Sequence, residues 1–359
     1  MPSSSTSNLV LISGILFVAV ALQLSLQPFS PLPSFGALQI PTSPPPFQSN
    51  SKLQEVVKLG EGVLKQPEAV AVDGKGTLYT ATRDGWIKRL LRNGTTWESW
   101  RHVDSDGLLG IAPTEDGDLF VCDADKGLHK IGDGGVTVAA THVNGDPIRF
   151  ADDVAVSSEG KVYFSIASRK FDFHHWPLDI LEPTSTGQLI QFEPSTDTAS
   201  VLVDNLGFAN GVVLSENQDY IVVCETWKFR CLKYVLKGEE EGKTEIFIDN
   251  LPGGPDNINL APDGTFWIAL LQLRPSWWLR YIPEQFLKSF SKIVEFGIGV
   301  HNAAMVVNVA SDGRVIRGFD DPTGKVIAKV TSAIEFDGHL YLGTLHNDFV
   351  GKLPLTAAM

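Results

Sequence analysis

Four oxygen-bearing side chains each stand just before a short apolar run. They are Glu68 in Pro67-Glu68-Ala69-Val70-Ala71-Val72, Asp152 in Ala151-Asp152-Asp153-Val154-Ala155-Val156, Asn210 in Ala209-Asn210-Gly211-Val212-Val213-Leu214, and Asp256 in Pro255-Asp256-Asn257-Ile258-Asn259-Leu260. Three carboxylates and a carboxamide are hard donors, suited to Ca²⁺ rather than zinc or copper. Magnesium fits less well, because it keeps its waters and avoids all-protein cages. The neighbours Asp153 and Asn257 offer second donors. Turn capping explains any one such residue. Four in register favour a shared ligand site.

Such distant residues meet only if the elements carrying them form a ring. The chain has few long helical patterns and many β-branched and aromatic runs between Gly, Asp and Asn turns, which reads as all-β. A unit of strand, polar turn and strand, often with a third strand, recurs at Glu68–Leu90, Leu109–Ile131, Asp152–Phe192, Asn210–Val235, Asp256–Leu271 and Ser332–Leu353. Spacings of roughly forty to sixty residues predict a six-bladed β-propeller. Its innermost strands would bring the four donors to one mouth of the central channel. The second and sixth units carry Leu109 and Ser332 at that position, so four blades of six supply a strong donor.

Two stretches interrupt the repeat. Leu273 to Phe296, with Trp277, Trp278, Ile282, Phe286, Phe290 and Ile293, approximates a helical stripe. This short helical insertion is expected to cap the channel mouth, with a substrate lid or a membrane-contact helix as alternatives. Phe171 to Trp176 forms an excursion in the third unit. Its His174, His175 and Trp176 are candidate pocket residues, with turn packing as the alternative.

The 359 residues suffice for one large closed domain, and a net charge of −13 argues against nucleic acid as a partner. Residues 1–51 carry no Asp, Glu, Lys or Arg, and Leu9 to Leu26 is mostly apolar. As a single hydrophobic helix, at about 1.5 Å per residue, that run just spans a bilayer core. The expected organisation is a signal peptide or signal anchor over 1–27, a Pro-rich linker over 28–50 and the propeller over 51–359. Either N-terminal reading places the domain in the secretory pathway, with membrane anchoring through 9–26 in the second. There the sequon Asn93-Gly94-Thr95 becomes a glycosylation candidate. Of three cysteines, Cys224 and Cys231 form either a cross-hairpin disulfide or two buried thiols, and Cys122 has no evident partner. No Gly-x-Ser-x-Gly elbow or phosphate loop is present.

Several segments together resemble the strictosidine synthase-like family over about residues 53–357. They are Gln66-Pro67-Glu68-Ala69, Phe150-Ala151-Asp152-Asp153-Val154, Gly187-Gln188-Leu189, Phe208-Ala209-Asn210-Gly211-Val212, Cys224 to Cys231, Leu251 to Ile258 and Gly338 to Leu345. The wider superfamily contains calcium-dependent paraoxonases and gluconolactonases. The resemblance implies calcium ligands at Glu68, Asp152, Asn210, Asp256 and Asn257, although Asp152 is commonly Asn in the hydrolase relatives. It also implies a small-molecule substrate and an endoplasmic reticulum or vacuole location.

Two departures from the family limit the chemistry. Strictosidine synthase uses a glutamate near the start of the last blade to condense an amine with an aldehyde. The matching position here is Thr331, or Ser332 with a one-residue slip, and a neutral hydroxyl cannot replace a carboxylate base. Glu335 sits deeper in the strand and is a poor substitute. Thr331 is then a candidate pocket residue. The histidine proposed as base in paraoxonases is matched by Leu109. What the resemblance leaves is a calcium-dependent ester or lactone hydrolase, with Asp153 or Asp256 as base or nucleophile. A non-catalytic, metal-stabilised binding propeller is the alternative, and a condensing lyase the third.

Overall fold

The computed structural model describes residues 41, 45–181, 185–273 and 297–355. Six four-stranded antiparallel sheets follow one another along the chain, and the first five run from the channel outward in sequence order. Their innermost strands are Val70–Val72, Leu108–Pro113, Ala151–Val156, Ala209–Leu214, Gly254–Leu260 and Val330–Phe336, taken here as blades 1 to 6. Each packs beside the next, and blade 6 returns to blade 1. The expected six-bladed propeller is the observed fold, with a fourth, outer strand completing every blade.

Patterning explains the layers. The second strands, such as Leu119–Asp123 and Phe266–Leu271, are buried throughout, because a neighbouring blade covers each face. Strands buried on both sides read as continuous apolar runs rather than alternating ones. The outer strand Thr198–Leu206 has mixed exposure. A buried Phe164 or Phe266 contributes about 1.5–3 kcal/mol each from apolar area removed from water.

The turn after each inner strand is held by its own polar residues. In blade 1, Asp73 Oδ1 accepts the backbone N–H groups of Lys75 at 2.9 Å and Thr77 at 2.8 Å. Gly76 follows at φ +81°, a conformation that glycine adopts without strain.

Blade 6 takes its outermost strand, Val57–Leu59, from the start of the domain, pairing it with Val350–Pro354. The ring is thus closed by hydrogen bonds between distant ends of the chain. Asp320 Oδ1 reinforces the closure by accepting from Asn50 N at 2.9 Å and Ser51 N at 2.8 Å. Phe47 packs against the core between blades 4 and 5. Phe47 and Asn50, at the end of the expected linker, thus contact the propeller.

Residues 1–27, including the apolar run 9–26, lie outside the described residues, as does the expected helical insertion over 274–296. Leu273 and Val300, which flank the latter, pair across an isolated bridge. Among the described residues no helix is long and apolar enough to cross a membrane.

Candidate metal centre

Every inner strand from blade 2 to blade 6 has an irregular start. Pairing with the second strand skips between Leu108 and Ile111, Ala151 and Val154, Ala209 and Val212, Pro255 and Ile258, and Val330 and Ser332. The residues left over are Leu109-Gly110, Asp152-Asp153, Asn210-Gly211, Asp256-Asn257 and Thr331. A bulge bends the strand and re-aims its side chain. In blade 1, Glu68 sits just before the first paired residue, Val70. The sixth ring position is thus Thr331, which corrects the expected Ser332. That shift follows from the blade 6 bulge, which holds one residue where the others hold two.

The second bulge residue governs how closely blades approach. A Cβ on Gly110 would fall 2.5 Å from the Asp153 Cα, and one on Gly211 would fall 2.5 Å from the Asp256 carbonyl oxygen. Glycine in blades 2 and 4 makes room for Asp153 and Asn257 in blades 3 and 5.

The ring buries the predicted donors on its inner strands, although the carboxylate oxygens of Glu68, Asp152 and Asp256 do not all lie within 4.8 Å of one another. Glu68, Asp152, Asn210, Asp256 and Asn257 are each no more than 5% exposed. Asn257 Nδ2 donates to Glu68 Oε1 at 3.0 Å, and the Asn210 amide hydrogen-bonds to Asp256. Three oxygen atoms, Glu68 Oε2, Asn210 Oδ1 and Asn257 Oδ1, are buried without a hydrogen-bond partner. Buried acceptors normally have one, and these three sit beside a group of carboxylates. A divalent cation held by oxygen would satisfy them, so the donor set fits Ca²⁺.

The electrostatics point the same way. Burial pushes Glu68 up to about 7, against the pull of Arg83 and the Asn257 hydrogen bond. Asp152 and Asp256 are driven well above the usual carboxylate range, by burial first and by the Glu68 charge next. Crowded acids out of water resist ionisation unless a cation joins them.

Asp153 does something different from its neighbour. Its backbone N–H donates to Ser165 Oγ at 3.0 Å, and its Oδ2 accepts from Val212 N at 2.8 Å. It is a strut between blades 3 and 4, and burial pushes it up to about 8. Thr331 is also structural. It is fully buried, and its hydroxyl donates to the Glu68 carbonyl at 2.6 Å, tying blade 6 to blade 1. This replaces the expectation that it faces a substrate. Glu335 accepts from Trp267 Nε1 at 2.8 Å, away from the ring.

The excursion in blade 3 includes a 3-10 helix, Phe173–Leu181. His175 Nδ1 lies 2.7 Å from Asp172 Oδ1 with an exposed side chain. His174 is exposed at the rim, 3.8 Å from Asp106, where it forms an open trio with Asp106 and Asp125. Neither histidine joins the ring. Trp176 stacks on Trp227 with centroids 5.9 Å apart, so it packs the excursion onto blade 4. Trp227 lies in the hairpin closed by the Cys224–Cys231 disulfide, which settles the open alternative for those cysteines. Within that hairpin the buried Glu225 is ion-paired with Lys228 and Arg230. Cys122 is buried and free, and Asn93 lies in an exposed turn.

One residue at the mouth escaped the sequence reading. Arg83 follows the second strand of blade 1, and its backbone N–H donates to the Lys65 carbonyl at 2.9 Å. Its guanidinium sits 4.4 Å from the centre of the Phe173 ring and feels the charges of Glu68, Asp152, Asp106 and Asp256. A lone arginine in a turn carries no repeat signal, so only the folded ring reveals it.

A strictosidine synthase family profile matches residues 152–239, and a strictosidine synthase-like N-terminal profile matches 45–90. Protein STRICTOSIDINE SYNTHASE-LIKE 4 of Arabidopsis thaliana is 36% identical, over 92% of this chain and 90% of its own length. The chain belongs to the strictosidine synthase-like family. The rat adipocyte plasma membrane-associated protein is 31% identical over 90% of this chain and 96% of its own length. Among solved structures, a Xanthomonas campestris gluconolactonase superposes with a TM-score of 0.61 at 14% identity, covering 88% of this chain and 97% of that one. A calcium-binding regucalcin from Agrobacterium tumefaciens gives 0.54 at 16% identity, covering 86% and 94%. At these identities the likeness is one of fold.

Proposed function

We propose that this strictosidine synthase-like propeller is a calcium-dependent hydrolase of esters or lactones, acting at the ring of Glu68, Asp152, Asn210, Asp256 and Asn257. The observation that carries the reading is the trio of buried, unpartnered oxygens in that ring. When bound, a divalent cation would supply polarisation of the substrate carbonyl. Asp256 is the better base of the two candidates. The Asp153 carboxylate is engaged by the Val212 N–H, whereas Asp256 belongs to the ring itself. The Xanthomonas campestris gluconolactonase and the calcium-binding regucalcin share this fold, and their chemistry supports this choice.

One observation favours a second reading, a binding propeller stabilised by its metal. The places where relatives carry a histidine or a glutamate hold Leu109 and a Thr331 engaged with Glu68. Condensation of an amine with an aldehyde is the weakest reading, for want of a carboxylate at Thr331.

The proposed setting is the secretory pathway, in the endoplasmic reticulum or vacuole. The Cys224–Cys231 disulfide suits an oxidising compartment, and the apolar run 9–26 suits a signal or an anchor. Aryl esters and lactones assayed on the full chain, with calcium and with chelator, test the activity. Turnover that disappears on chelation supports the hydrolase. Absence of turnover, with thermal stability that still falls on chelation, leaves the structural metal alone.

A further inference from the structure

The ring has a gap at blade 2, where Leu109 supplies no donor. Arg83 lies over that gap. Its Nη1 donates to the carbonyl oxygens of Asp106 at 3.3 Å and Leu108 at 3.4 Å, the residues that lead into the blade 2 bulge. The two ring acids that pull on it most are Glu68 and Asp152, which flank blade 2 on either side. One face of the guanidinium is covered by Phe173. The backbone of Arg83 is pinned to Lys65, three residues before Glu68.

This arginine is fixed but not used up. Among the described residues, it makes no ion pair within 4 Å with any ring carboxylate, and Nε and Nη2 have no acceptor. Arg83 is partly exposed, and its unpartnered Nε and Nη2 atoms keep contact with solvent. A guanidinium held by stacking and carbonyl contacts, with parallel N–H groups left over, is a preformed clamp for a carboxylate or phosphate. It also answers an electrostatic problem. Three ionised ring carboxylates would repel an anionic substrate, and one divalent cation cancels only two of those charges.

The geometry points to Arg83 as the group that binds an anionic substituent of the substrate, so the site takes esters or lactones that bear a carboxylate or phosphate. This rests on the ring being the reacting site. Leu109 leaves the space above blade 2 open, Arg83 supplies the positive charge there, and the carbonyl to be attacked sits toward Asn210 and Asp256.

The test uses the full chain in excess calcium and two 4-nitrophenyl esters, the hemisuccinate and the butanoate, which differ by a carboxylate on the acyl chain. Wild type is expected to prefer the hemisuccinate in kcat/KM by about tenfold or more, and Arg83→Gln to lose most of that ratio. Arg83→Lys, which keeps the charge but not the fork, falls between them and serves if the glutamine variant does not fold. Succinate binding, measured by calorimetry on the same proteins, gives a readout independent of turnover. Its Kd should rise about tenfold in Arg83→Gln. Neither ester turning over, with succinate binding that still depends on Arg83, ends the hydrolase reading and keeps the anion site. Ester turnover without charge preference, and succinate binding equal in wild type and variants, overturns the role of Arg83 and leaves the hydrolase standing.

Discussion

Asn257 and Glu68 are separated by 189 residues, yet the Asn257 amide donates to Glu68 Oε1 at 3.0 Å. That bond spans from blade 5 to blade 1, past blade 6. It orients both side chains so that Glu68 Oε2 and Asn257 Oδ1 remain buried with no partner. Both leftover atoms are acceptors, so neither can satisfy the other while Glu68 is ionised.

The first prediction follows from that half-satisfied pair. Calcium added to chelator-treated protein should raise the melting temperature by several degrees. At a free concentration about a hundred times Kd the stabilisation is about 2.7 kcal/mol. Asn210→Ala removes one of the three unpartnered oxygens and should weaken this response, while Asn93→Ala, in an exposed turn, should not. Scanning calorimetry with and without chelator checks it, and a melting temperature indifferent to calcium would remove the metal from the ring.

How much of this was legible beforehand depends on the range of the interaction. Glu68, Asp152, Asn210 and Asp256 share a local pattern of a donor just ahead of an apolar strand, so the repeat exposed them and their blades. Thr331 was harder, because the blade 6 bulge is one residue shorter and moves the ring position by one. Asp153 looked like Asp152 until the approach of Val212 separated strut from ring. Arg83 had no pattern at all. Its place is set by Lys65, Leu108 and Phe173, contacts made only after the ring closes.

The strut and the ring should separate by mutation. Asp153→Ala leaves the Val212 N–H buried without an acceptor, which costs about 1–3 kcal/mol. Asp153→Asn keeps an acceptor and should cost less. Asp256→Asn, by contrast, is expected to abolish turnover with a smaller loss of fold stability. Urea unfolding together with ester hydrolysis distinguishes them. Equal loss of activity in Asp153→Asn and Asp256→Asn would return Asp153 to the chemistry.

Close contact between blades 6 and 1 makes Gly343 sensitive. A Cβ there would stand 2.1 Å from the Glu68 carbonyl oxygen, the same atom that accepts from Thr331. Backbone cannot retreat without moving Glu68. Gly343→Ala should therefore cost about 3 kcal/mol or more and weaken calcium binding as well. Gly134→Ala, where nothing lies within 4 Å, is the control and should be neutral. Equal melting temperatures for the two variants would contradict the contact.

The last prediction concerns pH and the closure of the ring. Asp321 Oδ1 accepts from Gln54 Nε2 at 2.9 Å, Thr323 Oγ1 at 2.8 Å and Gly324 N at 3.0 Å, and its Oδ2 accepts from Val326 N at 3.0 Å. Burial alone would raise this carboxyl, but the donors outweigh it and hold it down at about 2. An acid with a lower pKa folded than unfolded stabilises the fold when ionised. That contribution is complete above the unfolded value near 3.8 and is lost as pH falls through about 2. Allowing for solvent screening, it is worth about 1–2 kcal/mol. Asp321→Asn should thus be less stable than wild type by about that amount at pH 6, with about half the gap gone near pH 3. Other acids titrate in both proteins, so the difference between two urea titrations isolates Asp321. A gap that stays constant from pH 6 to pH 3 would mean that its ionisation does not help hold Gln54 and the start of the propeller against blade 5.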